Sequence, residues 1–204
     1  MVTVVGIGPG HPDYITPAAV KRISAAEVVI GARRVLDAVD TEGKEVIEAT
    51  ADISAAMTAV DKNKERNTVV VVSGDPGFYS MLKTIRNNLP EIALDAVPGV
   101  SSMQMLFARI GEEWQGVALA SVHGRSLDGL DAMIIRHKRS CLLTDNVHSA
   151  PAIARYLADK GINARVVAGA NLSYDEERIV DTTLAELAKL EGFESSVLYI
   201  ELDS

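Results

Sequence analysis

The chain has 204 residues, enough for one large domain or two small ones around a substantial core. Hydrophobic residues make up 48% and charged residues 24%, which excludes a disordered chain, a collagen and a disulfide scaffold. With 28 acidic and 20 basic residues the net charge is −8, which argues against general nucleic-acid or anionic-membrane binding but leaves room for a local basic pocket.

Aromatic residues are only 4%, so the core is expected to be aliphatic. The single cysteine, Cys141, precedes Leu142-Leu143 and reads as a buried, inert strand thiol; cysteine usage fits a reducing cytoplasm. The first residues run straight into Val2-Thr3-Val4-Val5-Gly6 without a basic segment, so no signal peptide is expected. No apolar run approaches the roughly 20 residues that a membrane-spanning helix needs.

Short apolar runs alternate with helical segments. Strands are expected at Val2–Gly6, Glu27–Ile30, Glu45–Glu48, Thr68–Val72 and Ile92–Val97. Helices are expected at Pro17–Ala25 behind a Thr16 cap, Arg33–Val39, Ile53–Lys64 behind Asp52, Phe78–Asn88 and Ser102–Arg109. Val69 to Val72 are four valines in a row, a pattern buried on both sides as in a parallel sheet covered by helices. Past Gly111 the strand content rises. Strands are read at Val117–Val122, Ser140–Thr144, Ala164–Ala168, Arg178–Asp181 and Val197–Glu201, with helices at Leu127–Lys138, Ala150–Ala158 and near Leu184–Leu190. The expectation is two α/β domains, 1–112 and 113–204, the second with a mixed sheet. Ligands in such folds sit beyond the carboxyl ends of the strands, at switch points.

Three loops leaving strand ends stand out. Gly6-Ile7-Gly8-Pro9-Gly10-His11-Pro12-Asp13 begins like a dinucleotide fingerprint, but His11 holds the place of the third glycine and Pro9 removes an amide donor. It reads as a stiff loop that lets the backbone approach some other ligand. In Ser73-Gly74-Asp75-Pro76-Gly77-Phe78-Tyr79, Asp75 either caps the turn or accepts hydrogen bonds from an amino group or ribose. In Pro98-Gly99-Val100-Ser101-Ser102 the hydroxyls either cap the next helix or hold a polar ligand. His123-Gly124-Arg125 is either a polar surface turn or a contact for a carboxylate-bearing substrate. His11, His123, His137 and His148 form no pair with metal-like spacing, so no metal is assigned. The run Arg136–Arg139 reads as a solvated helix end, and Met103 and Met105 as core.

Taken in order, Gly6-x-Gly8-Pro9-Gly10 with Thr16, Gly74-Asp75-Pro76 with Phe78-Tyr79, and Pro98-Gly99-x-Ser101-Ser102 resemble the tetrapyrrole (corrin/porphyrin) methylase family. Later motifs narrow the likeness. Ser121-x-His123-Gly124-Arg125, Leu143-Thr144-Asp145-Asn146 and Asn171-Leu172-Ser173-Tyr174-x-x-Glu177-Arg178-Ile179 resemble the branch that methylates C5 of precorrin-7 in cobalamin biosynthesis. The sequence ends at Ser204 after the last strand, so the stand-alone, anaerobic-pathway form acting on the cobalt-containing ring is expected.

The resemblance implies S-adenosylmethionine as methyl donor, bound in a cleft between two α/β domains, and S-adenosylhomocysteine as product. By motif match it assigns Pro9, Gly74, Asp75, Phe78, Ser101, Ser102, Thr144, Gly169 and Ala170 to the cofactor. Gly8, Gly10, Arg33, Arg34 and Arg125 are expected to meet the carboxylate-rich corrinoid, since the three arginines leave strand ends on the ligand side and arginine is suited to bidentate pairing. His123 is the candidate base, because an unperturbed imidazole accepts a proton at neutral pH. A cytoplasmic homodimer is implied, with a C15-methylating, decarboxylating enzyme as a candidate partner. Open alternatives are another methylase of the family, including the diphthamide-pathway enzyme, and a cofactor-binding subunit that works only with that partner. A nucleotide-dependent dehydrogenase is a remote third.

Overall fold

The computed structural model describes residues 1–50, 52–193 and 196–202; Ser204, where the sequence ends, lies outside them. Strands Val2–Gly6 (β1), Val28–Gly31 (β2), Glu45–Glu48 (β3), Thr68–Val72 (β4) and Leu94–Val97 (β5) form an all-parallel sheet in the order β3-β2-β4-β1-β5. The valine run sits in the centre and is buried throughout. Its side chains alternate between two cores. Val69 and Val71 join Val5 and Val29 beneath helices Pro17–Ser24 (α1) and Arg33–Leu36 (α2). Val70 and Val72 join Val2, Val4 and Ile30 beneath Ile53–Lys62 (α3) and Met81–Asn88 (α4). A sheet covered on both faces needs apolar residues at every position, which is why no alternation shows in the sequence.

Local signals set where helices start. Thr16 accepts a hydrogen bond from the Ala19 N–H at 3.2 Å, and Pro17 opens α1. Asp52 does the same for α3 through the Ala55 N–H at 3.1 Å. Two starts differ from expectation: the helix expected from Leu127 begins at Leu130, behind a left-handed Gly129, and α4 begins at Met81 rather than Phe78. Tyr79 has a φ of +51°, a left-handed conformation that no α-helix admits, so the preceding loop runs on to Ser80.

The second sheet contains Ala118–Ser121 (β6), Arg139–Leu143 (β7), Ala164–Ala170 (β8), Arg178–Thr183 (β9) and Ser196–Leu202 (β10), in the order β6-β7-β10-β8-β9. β6 and β7 are parallel, and the other pairs are antiparallel, so the sheet is mixed. Helices Ser102–Ile110 (α5), Leu130–His137 (α6), Ala150–Asp159 (α7) and Leu184–Leu187 (α8) accompany it. One face is covered by Ile134, Ile153, Leu157, Leu184 and Leu187, packed with Leu142, Val166 and Leu198. On the other face Cys141, Tyr199 and Val167 form one row across the strands. Burial pushes the Cys141 thiol up to about 12, so it is un-ionised and inert at neutral pH.

Contacts divide the chain into Met1–Ser101 and Ser102–Ser204. The division falls one helix before the 112/113 boundary read from the sequence, because α5 packs on the second sheet. Phe107 of α5 stands edge-on to Tyr199 with ring centres 5.1 Å apart. Just past the helix, Glu112 accepts from Arg165 of β8 at 2.8 Å. The basic run also divides. Arg136, His137 and Lys138 are exposed as expected, but Arg139 opens β7 and donates to the Tyr199 hydroxyl at 2.9 Å.

Phe107 is 1% exposed. Truncating such a ring to alanine costs about 3–5 kcal/mol through lost transfer energy and the cavity left behind. Phe107→Ala is expected to lower the unfolding free energy by that amount, read as a lower urea midpoint with little change in slope. A midpoint within error of wild type would show that α5 is not docked on this sheet.

Candidate functional site

Because the strands of the first sheet are all parallel, their carboxyl ends share one edge. Neighbours β1 and β4 send the chain to opposite faces, β1 into α1 and β4 into α4. That makes their shared end a topological switch point, the place where ligands sit in open α/β sheets. The two exit loops meet there: Gly74 donates to the Gly8 carbonyl at 2.8 Å and Gly8 to the Gly74 carbonyl at 3.4 Å. Both glycines are left-handed, with φ of +83° at Gly8 and +65° at Gly74. The loop after β5 closes on the same point. A Cβ on Gly99 would lie 2.8 Å from the Gly6 carbonyl oxygen, and one on Gly6 would lie 2.9 Å from the Gly99 nitrogen. Three backbones therefore pack where side chains do not fit.

Asp75 ties these loops together. Its Oδ1 accepts from the Gly77 N–H at 2.8 Å and its Oδ2 from the Gly99 N–H at 3.3 Å. Both readings of this residue thus have a basis. It shapes the turn, and two of the roughly four acceptor positions of an ionised carboxylate remain for another donor. Pro9 and Phe78 are half-buried beside the crossing; Phe78 packs edge-on against Tyr79 at 5.1 Å. Ser101 is buried, and its Cα is 3.6 Å from where a Gly74 Cβ would be. Ser102 begins α5. His11 serves its own loop, where its Nδ1 accepts from the Asp13 N–H at 3.3 Å and caps the short 3-10 turn Pro12–Tyr14. Gly10 is half-buried in the same loop. Arg33 and Arg34 are exposed past the end of β2, with Arg33 paired to Asp37 at 3.1 Å.

In the second sheet β6, β7 and β8 run the same way, so Ser121, Leu143 and Ala170 end at one edge. Thr144 is buried there. Its hydroxyl donates to the Ser196 carbonyl at 2.7 Å and accepts from the Ser196 N–H at 3.0 Å. The side chain thus fastens β7 to β10, and its proton is committed within the sheet. Gly169 pairs with Val197 and Ile179; a Cβ on it would lie 2.9 Å from Leu106 and Leu172 methyls. Ala170 is buried at the strand end. Beyond it Asn171 and Ser173 adopt left-handed φ of +49° and +76°. Glu177 holds this turn, accepting from the Ser173 N–H and from Arg109 Nε, both at 2.7 Å.

His123 and Arg125 are exposed in the turn after β6. The Arg125 guanidinium donates to the Ser121 carbonyl at 3.4 Å. Between them, the Gly124 N–H donates to Asp145 Oδ2 at 2.7 Å. Asp145 Oδ1 accepts from the Val147 and His148 N–H groups at 2.8 and 2.6 Å. The Gly124 N–H, with that of His148, holds the Asp145 carboxyl below the usual carboxylate range. In the sequence, Asp145 and Glu177 stand inside motifs, but neither receives a role there. An Asp at the start of a strand-exit turn is the available signal for the first; for Glu177 no local signal exists. Among the described residues, no group of three or more His, Cys, Asp or Glu is placed to hold a metal ion.

Comparison with known proteins gives concordant results. The family model for Tetrapyrrole (Corrin/Porphyrin) Methylases matches residues 1–188. A cobalt-precorrin-7 C(5)-methyltransferase from Salmonella typhimurium is 32% identical over 180 residues, covering 88% of this chain and 89% of its own. Among solved structures, a cobalamin-biosynthesis precorrin-6Y methylase from Archaeoglobus fulgidus superposes with a TM-score of 0.79 at 21% identity, over 100% of this chain and 99% of its own. A uroporphyrin-III C-methyltransferase from Thermus thermophilus, complexed with S-adenosylhomocysteine, gives 0.79 at 23% identity, over 98% and 96%.

A carboxyl group whose folded-state pKa is depressed contributes stability above its unfolded value, near 3.9, and loses it as pH falls through the lower folded value. Asp145→Asn is expected to cost about 1–3 kcal/mol at pH 7, the worth of charge-assisted bonds to backbone N–H groups. The gap to wild type should close as the pH falls below that range. A gap of constant size across the acid range would contradict the geometry.

Proposed function

Because the chain belongs to the tetrapyrrole (corrin/porphyrin) methylases, we propose that it transfers a methyl group from S-adenosylmethionine to C5 of cobalt-precorrin-7 in cobalamin biosynthesis. The observation that carries the substrate is the likeness to the Salmonella enzyme of that name, which spans 88% of the chain. The loop after β1 supports the donor. Pro9 offers no N–H to a pyrophosphate, whereas the acceptor sites left on Asp75 suit the hydroxyls and amino groups of a ligand without phosphate. The Thermus neighbour is described with S-adenosylhomocysteine, which supports the same class of ligand.

Residues Pro9, Gly74, Asp75, Phe78, Ser101 and Ser102 from the first group of loops would hold this cofactor, with Thr144, Gly169 and Ala170 from the second sheet. With its hydroxyl bound to Ser196, Thr144 would contribute shape and main chain rather than its proton. Bound there, S-adenosylmethionine supplies a methyl group already activated on a sulfonium. The protein then has to fix the ring carbon in line, exclude water and accept the proton released. Pre-ordering of this kind contributes on the order of 7–11 kcal/mol to such a reaction. Gly8 and Gly10 would let the ring approach the main chain. Arg33, Arg34 and Arg125 would meet its carboxylates, since the net charge of −8 gives no long-range attraction to a polyanion. Of these, Arg33 must first leave Asp37. The exposed imidazole of His123 would take the proton.

The reading includes a homodimer in the cytoplasm and a C15-methylating partner. Among the described residues no helix is long and apolar enough to cross a membrane. Light scattering of the purified chain checks the dimer.

Anaerobic incubation with labelled S-adenosylmethionine and cobalt-precorrin-7, followed by mass, is expected to add one methyl group at C5. Cofactor binding without transfer would overturn the substrate. His123→Ala should lower turnover with cofactor affinity unchanged, and full activity would remove the base. Arg125→Gln should raise the corrinoid KM more than it weakens cofactor binding; equal losses would count against its role.

A further inference from the structure

We propose that Asp145 is a positioning residue: by accepting the Gly124 N–H it fixes the turn that presents His123 and Arg125. The inference rests on the proposed roles of those two side chains. The turn's bonds to its own strand end are local, from His123 N–H to Ser121 Oγ at 3.3 Å and from Arg125 N–H to the Val122 carbonyl at 3.0 Å. At the base of the turn the Val122 N–H donates to the Leu143 carbonyl at 2.9 Å, but the local bonds beyond it reach no other strand. The Gly124–Asp145 bond reaches 21 residues along the chain to a different strand exit. It grips the central peptide, with His123 one residue before it and Arg125 one residue after.

The anchor is itself held. Oδ1 accepts the Val147 and His148 N–H groups, which closes the Asp145 side chain onto its own turn and leaves it only 14% exposed. The chain then crosses over through Oδ2. Three N–H donors converge on one side chain, a demand that an acceptor-only carboxylate meets and a carboxamide does not. With Oδ1 of an asparagine facing Val147 and His148, its NH2 would face the Gly124 N–H, and that bond would be lost while the local ones remain. Gly124 is left-handed at φ +64°, yet among the described residues nothing lies within 4 Å of where its Cβ would be. Its backbone conformation, rather than crowding, calls for glycine, and that conformation directs the N–H at Asp145. Exposed site side chains carried on a loop need this kind of support, because little packing holds them.

The test compares wild type, Asp145→Asn, the double variant His123→Ala/Arg125→Gln and the triple variant. Rates are referred to the concentration of folded protein competent to bind S-adenosylmethionine. Asp145→Asn is expected to lower kcat/KM for cobalt-precorrin-7 about ten- to a hundredfold, the range that small misplacement of reacting groups produces. The dissociation constant for S-adenosylmethionine should not change. Added to the double variant, Asp145→Asn should cost nothing further, because its effect passes through the two side chains already removed. A wild-type kcat/KM in Asp145→Asn, or an undiminished loss in the triple variant, would overturn the proposal. Amide hydrogen exchange gives a second reading that needs no turnover. Asp145→Asn should strip protection from the Gly124 amide and leave Val147 and His148 protected. Unchanged protection at Gly124 overturns the positioning role even if wild type fails to methylate this corrinoid, a failure that would count against the substrate alone.

Discussion

At the carboxyl edge of the parallel sheet, three main-chain segments cross with no room for a Cβ at Gly6 or Gly99. The rest of the first unit's site depends on that approach. It brings the β1 and β4 loops within hydrogen-bonding distance at Gly8 and Gly74, and it carries the β5 loop to the Asp75 carboxylate. The crossing follows from topology. β1 and β4 are neighbours that wind to opposite faces, so their exit loops share the switch point at which ligands sit in open α/β sheets. A side chain at Gly6 or Gly99 would push the loops apart.

A second device recurs across the molecule. Loop N–H groups that no strand or helix can satisfy are collected by carboxylates: Asp75 takes two, Asp145 three, and Glu177 one together with an arginine. Each such carboxylate sits in a loop at a strand exit. Part of the acidic excess is therefore structural, used to give irregular backbone a defined shape. Away from these loops, Arg165 gathers Glu112, Asp181 and Glu201 at the other end of the second sheet. That network holds the segment after α5 against β8 and helps explain why α5 sorts with the second unit.

Much of the fold is legible in the sequence. The valine run announces a doubly covered parallel strand, Thr16 and Asp52 announce helix starts, and three ordered loops announce the family. The departures share a cause. Phe78 reads as helical because nothing local reveals the left-handed Tyr79. Arg139 reads as solvated because its partner, Tyr199, lies sixty residues on. Nor does anything local reveal that the Thr144 hydroxyl is turned to Ser196, which the chain brings alongside only when β10 inserts between β7 and β8.

The sequence by itself determined what depends on neighbours along the chain: periodicity, caps, turn residues, the absence of a phosphate fingerprint and the order of the glycine loops. Those features reflect local sterics and local hydrogen bonds, which are complete within a few residues. Only the tertiary structure decided which carboxylate serves which amide or cation. Asp75 with Gly99, Asp145 with Gly124 and Arg109 with Glu177 are separated by 24, 21 and 68 residues. Pairings of that reach form when strand order brings loop ends together, and strand order is set by burying the two faces of each sheet rather than by any local pattern.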